Sequence, residues 1–267
     1  MAGSATAERG ARQQESSGPP LVRRLGRLGP RRLRTIIILA LVVVLLGAGG
    51  VWVLYGSQWL RVQRVAVSGT SVLTPQQVRE AAAVPVGSPM ISVDTDAIEA
   101  RLRTELPRID SVDVVRSWPH GIGLKVTERT PVLLVQKGSK FMEVDDDGVR
   151  FATVSEAPKG VPLLEMAVSS SRSAAASLRR FGEGRLVREA VEAAGSLPAA
   201  VARDTRLVKV VSYDDISLEL TGGRTVAWGS AERGAAKGRA LTALMKAAPD
   251  ARHFDVSAPT APASSGS

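Results

Sequence analysis

No cysteine occurs in this chain, so disulfides, thiol nucleophiles and cysteine-ligated metals are all excluded. Any folded part must stand on hydrophobic packing alone. Histidine is nearly missing as well, with only His120 and His253. A Ser/His/Asp site needs an imidazole beside a nucleophile, and no Gly-x-Ser-x-Gly stretch accompanies either residue. His120 sits in a Trp-Pro-His-Gly turn and His253 flanks the last strand pattern, so both read as structural. Acids are scarce at the start: Glu8 and Glu15 are the only two among the first 34 residues, against eight arginines.

What is present is one long apolar run. Thr35–Tyr55 holds 21 residues without a charge. At about 1.5 Å per residue it reaches roughly 31 Å, enough for a hydrocarbon core of about 30 Å. The arginine-rich leader before it predicts a cytoplasmic N-terminus, with everything after Tyr55 on the outer side. Trp52, Tyr55 and Trp59 suit the outer interfacial belt. A cleaved signal peptide is the rival reading, with cleavage near Ala48. Its apolar core is ordinarily about 7–15 residues, and bulky Trp52, Leu54 and Tyr55 follow the small residues here, so an uncleaved anchor is expected. The formal charge of +9 is concentrated in the leader: residues 1–34 carry +6, leaving +3 for the rest. The basic excess therefore points to anionic lipid at the cytoplasmic face and away from nucleic acid.

The leader, residues 1–34, is expected to be disordered. After the span, Arg61–Val67 alternates as a short strand closed by Ser68-Gly69-Thr70. Thr74-Pro75-Gln76-Gln77 supplies an N-cap, a first-turn proline and a capping-box glutamine for a helix to about Ala82. Asp94 or Thr95 caps a second helix with Ile98, Leu102 and Leu106 on one face, stopped by Pro107. Strands at Ser111–Ser117 and Ile122–Glu128 complete a β-α-α-β-β module. Short strands follow at Val132–Gln136, Lys140–Val144, Val149–Thr153 and Pro162–Met166. Val168–Ser177 reads as a loop or weak helix, Leu186–Leu197 as a helix, and Leu207–Ser212, Ile216–Leu220 and Thr225–Trp228 as a meander. A helix at Ala231–Ala247, a last strand at His253–Val256 and a flexible tail, residues 257–267, end the chain.

Several features invite sharper readings. Glu143–Gly148 resembles a calcium loop, but with Gly148 at position 6 the bidentate position 12 is Val154, so a hairpin turn is expected. Trp118, before Pro119 at a hairpin tip, reads as packing, with a binding hot spot as the alternative. Arg129 stands at the junction between modules, either as an ion pair fixing their angle or as a solvated charge. Arg179-Arg180 reads as a solvated loop. Gly222-Gly223 is a turn, without the lysine and helix of a phosphate loop.

Four stretches together resemble the bacterial cell-division family FtsQ/DivIB, in its actinobacterial form. They are Val62–Gly69; Leu106-Pro107-Arg108-Ile109 with Val114 to Trp118-Pro119; Val126-Thr127-Glu128-Arg129-Thr130-Pro131-Val132; and Val144-Asp145 through Gly148 to Phe151. The resemblance implies an α+β architecture: a transmembrane helix, residues 35–55, then a POTRA module, residues 61–129, then a β-rich domain with flanking helices, residues 130–256. It further implies a non-enzymatic divisome scaffold in the cell membrane at the septum, without cofactor or metal. Its partners would be an FtsB- and FtsL-like pair, tied to septal peptidoglycan synthesis. In relatives the last strand pairs with an FtsB segment, which here maps to Phe254, Asp255, Val256, Ser257 and Ala258. Pro259 and Pro262 lack the N–H a ladder requires, so pairing should stop near Ala258. The alternatives are an extracytoplasmic cell-wall enzyme, which needs a convergent polar constellation, and a POTRA-bearing translocation component, which needs repeated modules or a barrel.

Overall fold

A computed structural model describes residues 30–167 and 171–266. The basic leader up to residue 29 lies outside the described residues. Helix α1 covers Pro30–Gly56, so Pro30–Arg34, expected in the leader, are helical instead. Proline at the first helical position gives up an N–H that has no intrahelical partner there, so nothing stops the helix from starting early. Among the described residues α1 is the one helix long and apolar enough to cross a membrane. That is the makeup of a single-pass membrane anchor.

The first module follows the expected order, β1 (Arg64–Ser68), α2 (Pro75–Ala82), α3 (Thr95–Glu105), β2 (Ile109–Ser117) and β3 (Gly121–Glu128). Strand β3 is central, parallel to β1 and antiparallel to β2. Strand β1 starts later than the alternation suggested. Arg61 makes only an isolated bridge to Pro89, and the Val62 N–H donates to the Ser88 carbonyl. Thr74 and Gln77 form the full capping box, and Asp94 caps α3 at the Ala97 N–H. The two helices lay Val78, Ala82, Ile98 and Leu102 on Val112, Val114, Ile122, Leu124 and Val126 of the sheet. Gly69 must be glycine: its φ is +86°, and a Cβ would stand 2.0 Å from the Val126 carbonyl oxygen.

The second module is a nine-stranded sheet. Its strands are β4 (Leu133–Lys137), β5 (Lys140–Val144), β6 (Arg150–Val154), β7 (Leu163–Met166), β8 (Thr205–Ser212), β9 (Asp215–Leu220), β10 (Thr225–Gly229), β11 (His253–Asp255) and β12 (Ala263–Ser265). The spatial order is β12-β11-β10-β9-β8-β7-β4-β5-β6. Helices α4 (Arg172–Phe181), α5 (Glu183–Gly195), α6 (Ala199–Asp204) and α7 (Gly234–Ala247) flank it. Leu186, Val187, Ala190 and Val191 of α5, Val201 of α6 and Leu241 of α7 share one core with Val208, Val210, Ile216, Leu218, Val226 and Trp228.

Three expectations need correction here. Of the loop or weak helix at Val168–Ser177, residues 168–170 lie outside the described residues, and the rest begins α4, capped by Ser171 on the Ala174 N–H. Arg179 and Arg180 consequently occupy the last helical turn, where the macrodipole favours cations, and are not in a loop. The C-terminal tail is not flexible throughout, since Ala263–Ser265 forms β12.

Glu128 ends β3 and ties it to the turn before α2. Its carboxylate accepts from the main-chain N–H groups of Ser71, Val72 and Leu73 and from the Ser71 hydroxyl. Burial alone would raise its pKa, but these donors outweigh burial and hold it below the ordinary 4.5. A depressed carboxyl contributes stability above its unfolded pKa, and that contribution fades as pH falls below about 4.5. Replacing Glu128 by Gln should therefore cost about 1–2 kcal/mol at neutral pH. Urea unfolding midpoints of both proteins, followed from pH 7 to 3, should converge as the solution becomes acidic.

Candidate partner-binding edge and inter-module joint

The two modules meet through paired charges. Glu143, at 3% exposure near the end of β5, receives Arg108, which lies just before β2. Asp145, at 1% exposure, receives Arg129, which directly follows β3. Arg129 also stands 3.4 Å from Asp110. Asp110 is the residue skipped where the β2–β3 register shifts between Ile109 and Ser111. A bulge re-aims a side chain, and this one turns Asp110 toward the joint. The Arg108 guanidinium also lies 5.1 Å above the Phe151 ring, a cation–π distance.

Arg129 is thus an inter-module ion pair and not a solvated charge. Asp145 does more than pair: its Oδ1 accepts from the N–H groups of Asp147 and Val149, which folds the β5–β6 hairpin. The Asp145–Asp147 acids are therefore a turn closed on its own backbone. Gly148 in that turn has a φ of +78°, and a Cβ would meet Arg188 at 2.9 Å.

The two histidines also have partners. His120 Nε2 lies 2.8 Å from an Arg64 guanidinium nitrogen, and its carbonyl accepts from the N–H groups of Gln63 and Arg64. His253 Nδ1 lies 2.8 Å from the Thr225 hydroxyl. Trp118 is 50% exposed at the tip of the β2–β3 hairpin, so packing into the core does not account for it.

The candidate strand divides by direction. Phe254 and Val256 are buried in the main core, and Asp255, Ser257 and Ala258 are exposed. The Arg252 carbonyl accepts from the Thr225 N–H, and the Val256 N–H donates to the Ala227 carbonyl, while the Arg252 N–H turns the other way and donates to the Gly266 carbonyl. Main-chain groups of Phe254 and Val256 thus face β10, and alternation leaves His253 and Asp255 facing away from it. Those two are already paired, with Ser265 and Ala263 of antiparallel β12. The expectation that Phe254–Ala258 forms the free edge is therefore corrected. The outermost strand is β12, and the ladder stops at Asp255. The Ser257 N–H and hydroxyl both donate to the Asp255 carboxylate, and the Ala258 carbonyl accepts from Ala261 in a turn that contains Pro259. Local side-chain bonding ends the strand before proline can.

The family model "POTRA domain, FtsQ-type" matches residues 60–129. The cell division protein FtsQ of Streptomyces coelicolor is 75% identical over 267 residues, covering all of both chains. The chain belongs to the FtsQ family. FtsQ of Streptomyces collinus is 73% identical, again over the whole of both chains. FtsQ of Mycolicibacterium smegmatis is 32% identical over 87% of this chain and 65% of its own. A solved structure of the major extracytoplasmic domain of DivIB from Geobacillus stearothermophilus aligns over 45% of this chain and 94% of its own. Its sequence identity is 18% and its TM-score 0.32. Cell division is thus the process in which this chain takes part, and its first module is an FtsQ-type POTRA domain.

Removing one member of a buried pair leaves an uncompensated charge, which costs about 3–5 kcal/mol. Arg108→Met, which strands Glu143, should reach that range. Arg129→Met should cost less, because Asp145 keeps two main-chain donors. The double variant Arg108→Met/Glu143→Gln should recover much of the first loss. Urea titrations of the four proteins in detergent would show the ordering.

Proposed function

We propose that this chain is a membrane-tethered, non-catalytic division scaffold. It recruits the FtsB–FtsL pair by strand addition at the C-terminal edge of the nine-stranded sheet and so couples division to septal peptidoglycan synthesis. The proposed arrangement places residues 1–34 in the cytoplasm against anionic lipid and both folded modules outside the membrane at the septum. Tethering both sides to one membrane raises their effective concentration without any new contact.

The observation that carries this reading is the character of the C-terminal edge. Strand β12 is three residues long and every one of them is exposed. Strand β2 of the POTRA module is defended by comparison: Glu99 accepts from the Val114 N–H, and the Arg116 side chain is held by the carbonyls of Met90 and Val93. An outer strand this short, with no buried side chain, leaves the edge at β11 only weakly covered, and an extended partner segment can take such an edge. The arginine-rich leader before α1 supports the orientation.

A photo-crosslinking residue at Asp255, Ser257 or Ala258 should trap the FtsB-like partner in dividing cells, and one at exposed Val72 should not. Crosslinks from Val72 alone would relocate docking to the POTRA module. Orientation has its own test, made simple by the absence of native cysteine. A Ser257→Cys protein should react with a membrane-impermeant maleimide on intact spheroplasts, whereas a Ser4→Cys protein should react only after permeabilisation.

A further inference from the structure

We infer that β12 is an internal competitor: the chain's own C-terminus occupies the docking strand and must leave before an extended partner can pair with β11. This inference rests on the strand-addition reading above and specifies how that edge is regulated.

Strand β11 is anchored on its inner side. It runs parallel to β10, with Phe254 and Val256 buried beneath. Its outward main-chain groups, at His253 and Asp255, are the ones a docking strand needs, and β12 holds both. Yet β12 brings nothing else. Ala263, Ser264 and Ser265 are all exposed, and none of them joins the core. The connection from Val256 to Ala263 is a short turn containing Pro259 and Pro262, closed by the bond between Ala258 and Ala261. The strand is therefore retained by main-chain hydrogen bonds and by being tethered nearby, without apolar burial. When it leaves, no cavity opens, and a replacement strand restores each bond that is lost.

The open face beside it fits the side chains of an extended peptide. With β12 in place, Thr225, Ala227, His253 and Asp255 line a shallow groove of about 400 Å³ together with Ala263, Ser264 and Ser265 of β12 itself. An incoming segment of several residues, free of proline and carrying side chains larger than Ala or Ser, would match the β12 register and bury area that β12 does not. A tethered occupant of this kind lowers apparent affinity by the fraction of molecules in which the edge is open. Such a competitor favours a partner presented at high local concentration on the same membrane and rejects stray extended segments.

The test uses the full chain in detergent and titrates it with the purified FtsB–FtsL pair. Two altered proteins accompany it. One ends at Ala258 and so lacks β12. The other carries His253→Cys and Ser265→Cys, directly opposed residues within disulfide reach in an antiparallel pair. Because no other cysteine exists, oxidation locks β12 in place and reduction frees it within one folded protein. The truncated chain should bind about ten-fold tighter than the full chain. The oxidised double-cysteine protein should bind at least about ten-fold more weakly than the same sample after reduction. Equal binding by the oxidised and reduced forms, or weaker binding by the truncated chain, would overturn the competitor and make β12 the docking strand itself. Absence of binding by every form, truncated chain included, would instead bring down the recruitment reading and this inference with it.

Discussion

Two carboxylates that cannot remain alone govern how the modules meet. Glu143 and Asp145 are almost fully buried at one end of the nine-stranded sheet, and each is met by an arginine held at the base of the POTRA sheet. A buried charge without a partner costs several kcal/mol, so separation of the modules is penalised even though the pairs need not stabilise folding beyond what apolar residues would give. The penalty is directional. Guanidinium geometry accepts only a narrow set of approaches, so the pairs specify an angle as well as an attachment. Asp110 adds a third, weaker contact, made available by the bulge that interrupts the β2–β3 ladder.

This joint gives physical meaning to the stretches that carry the family likeness. The Leu106-Pro107-Arg108 passage supplies one guanidinium, and the Glu128-Arg129 passage supplies the other. The Val144-Asp145 to Phe151 hairpin supplies a carboxylate and the ring beneath Arg108. Glu128 faces the opposite way from its neighbour, closing the turn that starts α2. Adjacent residues of one strand end thus serve two structures, as the alternation of a strand allows. In the sequence Arg129 stood at the junction with an ion pair as one of two readings, and Arg108, Glu143 and Asp145 were only charged residues near turns. Nothing in a single chain says which Asp lies opposite Arg129, because the contact spans 16 residues and depends on where two sheets stop.

Local chemistry was legible wherever a residue acts on its neighbours. The Thr74–Gln77 box, the Asp94 cap, Gly69 and the β5–β6 turn all follow from sequence, since each bond closes within a few residues or requires a glycine backbone. The misreadings share the opposite property. Helix α4 is only ten residues long, too short to hold alone whatever its alanines contribute, and forms beside a sheet it partly covers. Strand β12 has no apolar residue larger than alanine and two prolines before it, so composition said tail. Its structure comes from the open edge of β11 beside it, and a pairing partner of that kind is invisible to periodicity.

The sheet therefore has two ends of opposite character. Counting strand order at about 4.8 Å per strand, β11 lies roughly 29 Å across the sheet from β5. At the β5 end, buried charges hold the POTRA module in one orientation. At the β11 end, Phe254 and Val256 fix the inner side while the outer side carries a strand with no side-chain anchor. Local stability follows buried apolar contact, so opening should be confined to the last strand and leave the core untouched. The proposed docking role would use this division: a rigid body to set where the edge points, and a labile edge that can exchange one strand for another. If the weak strand were placed at the joint, exchange would loosen the modules. Placed at the far edge, exchange would alter only what a docking segment meets.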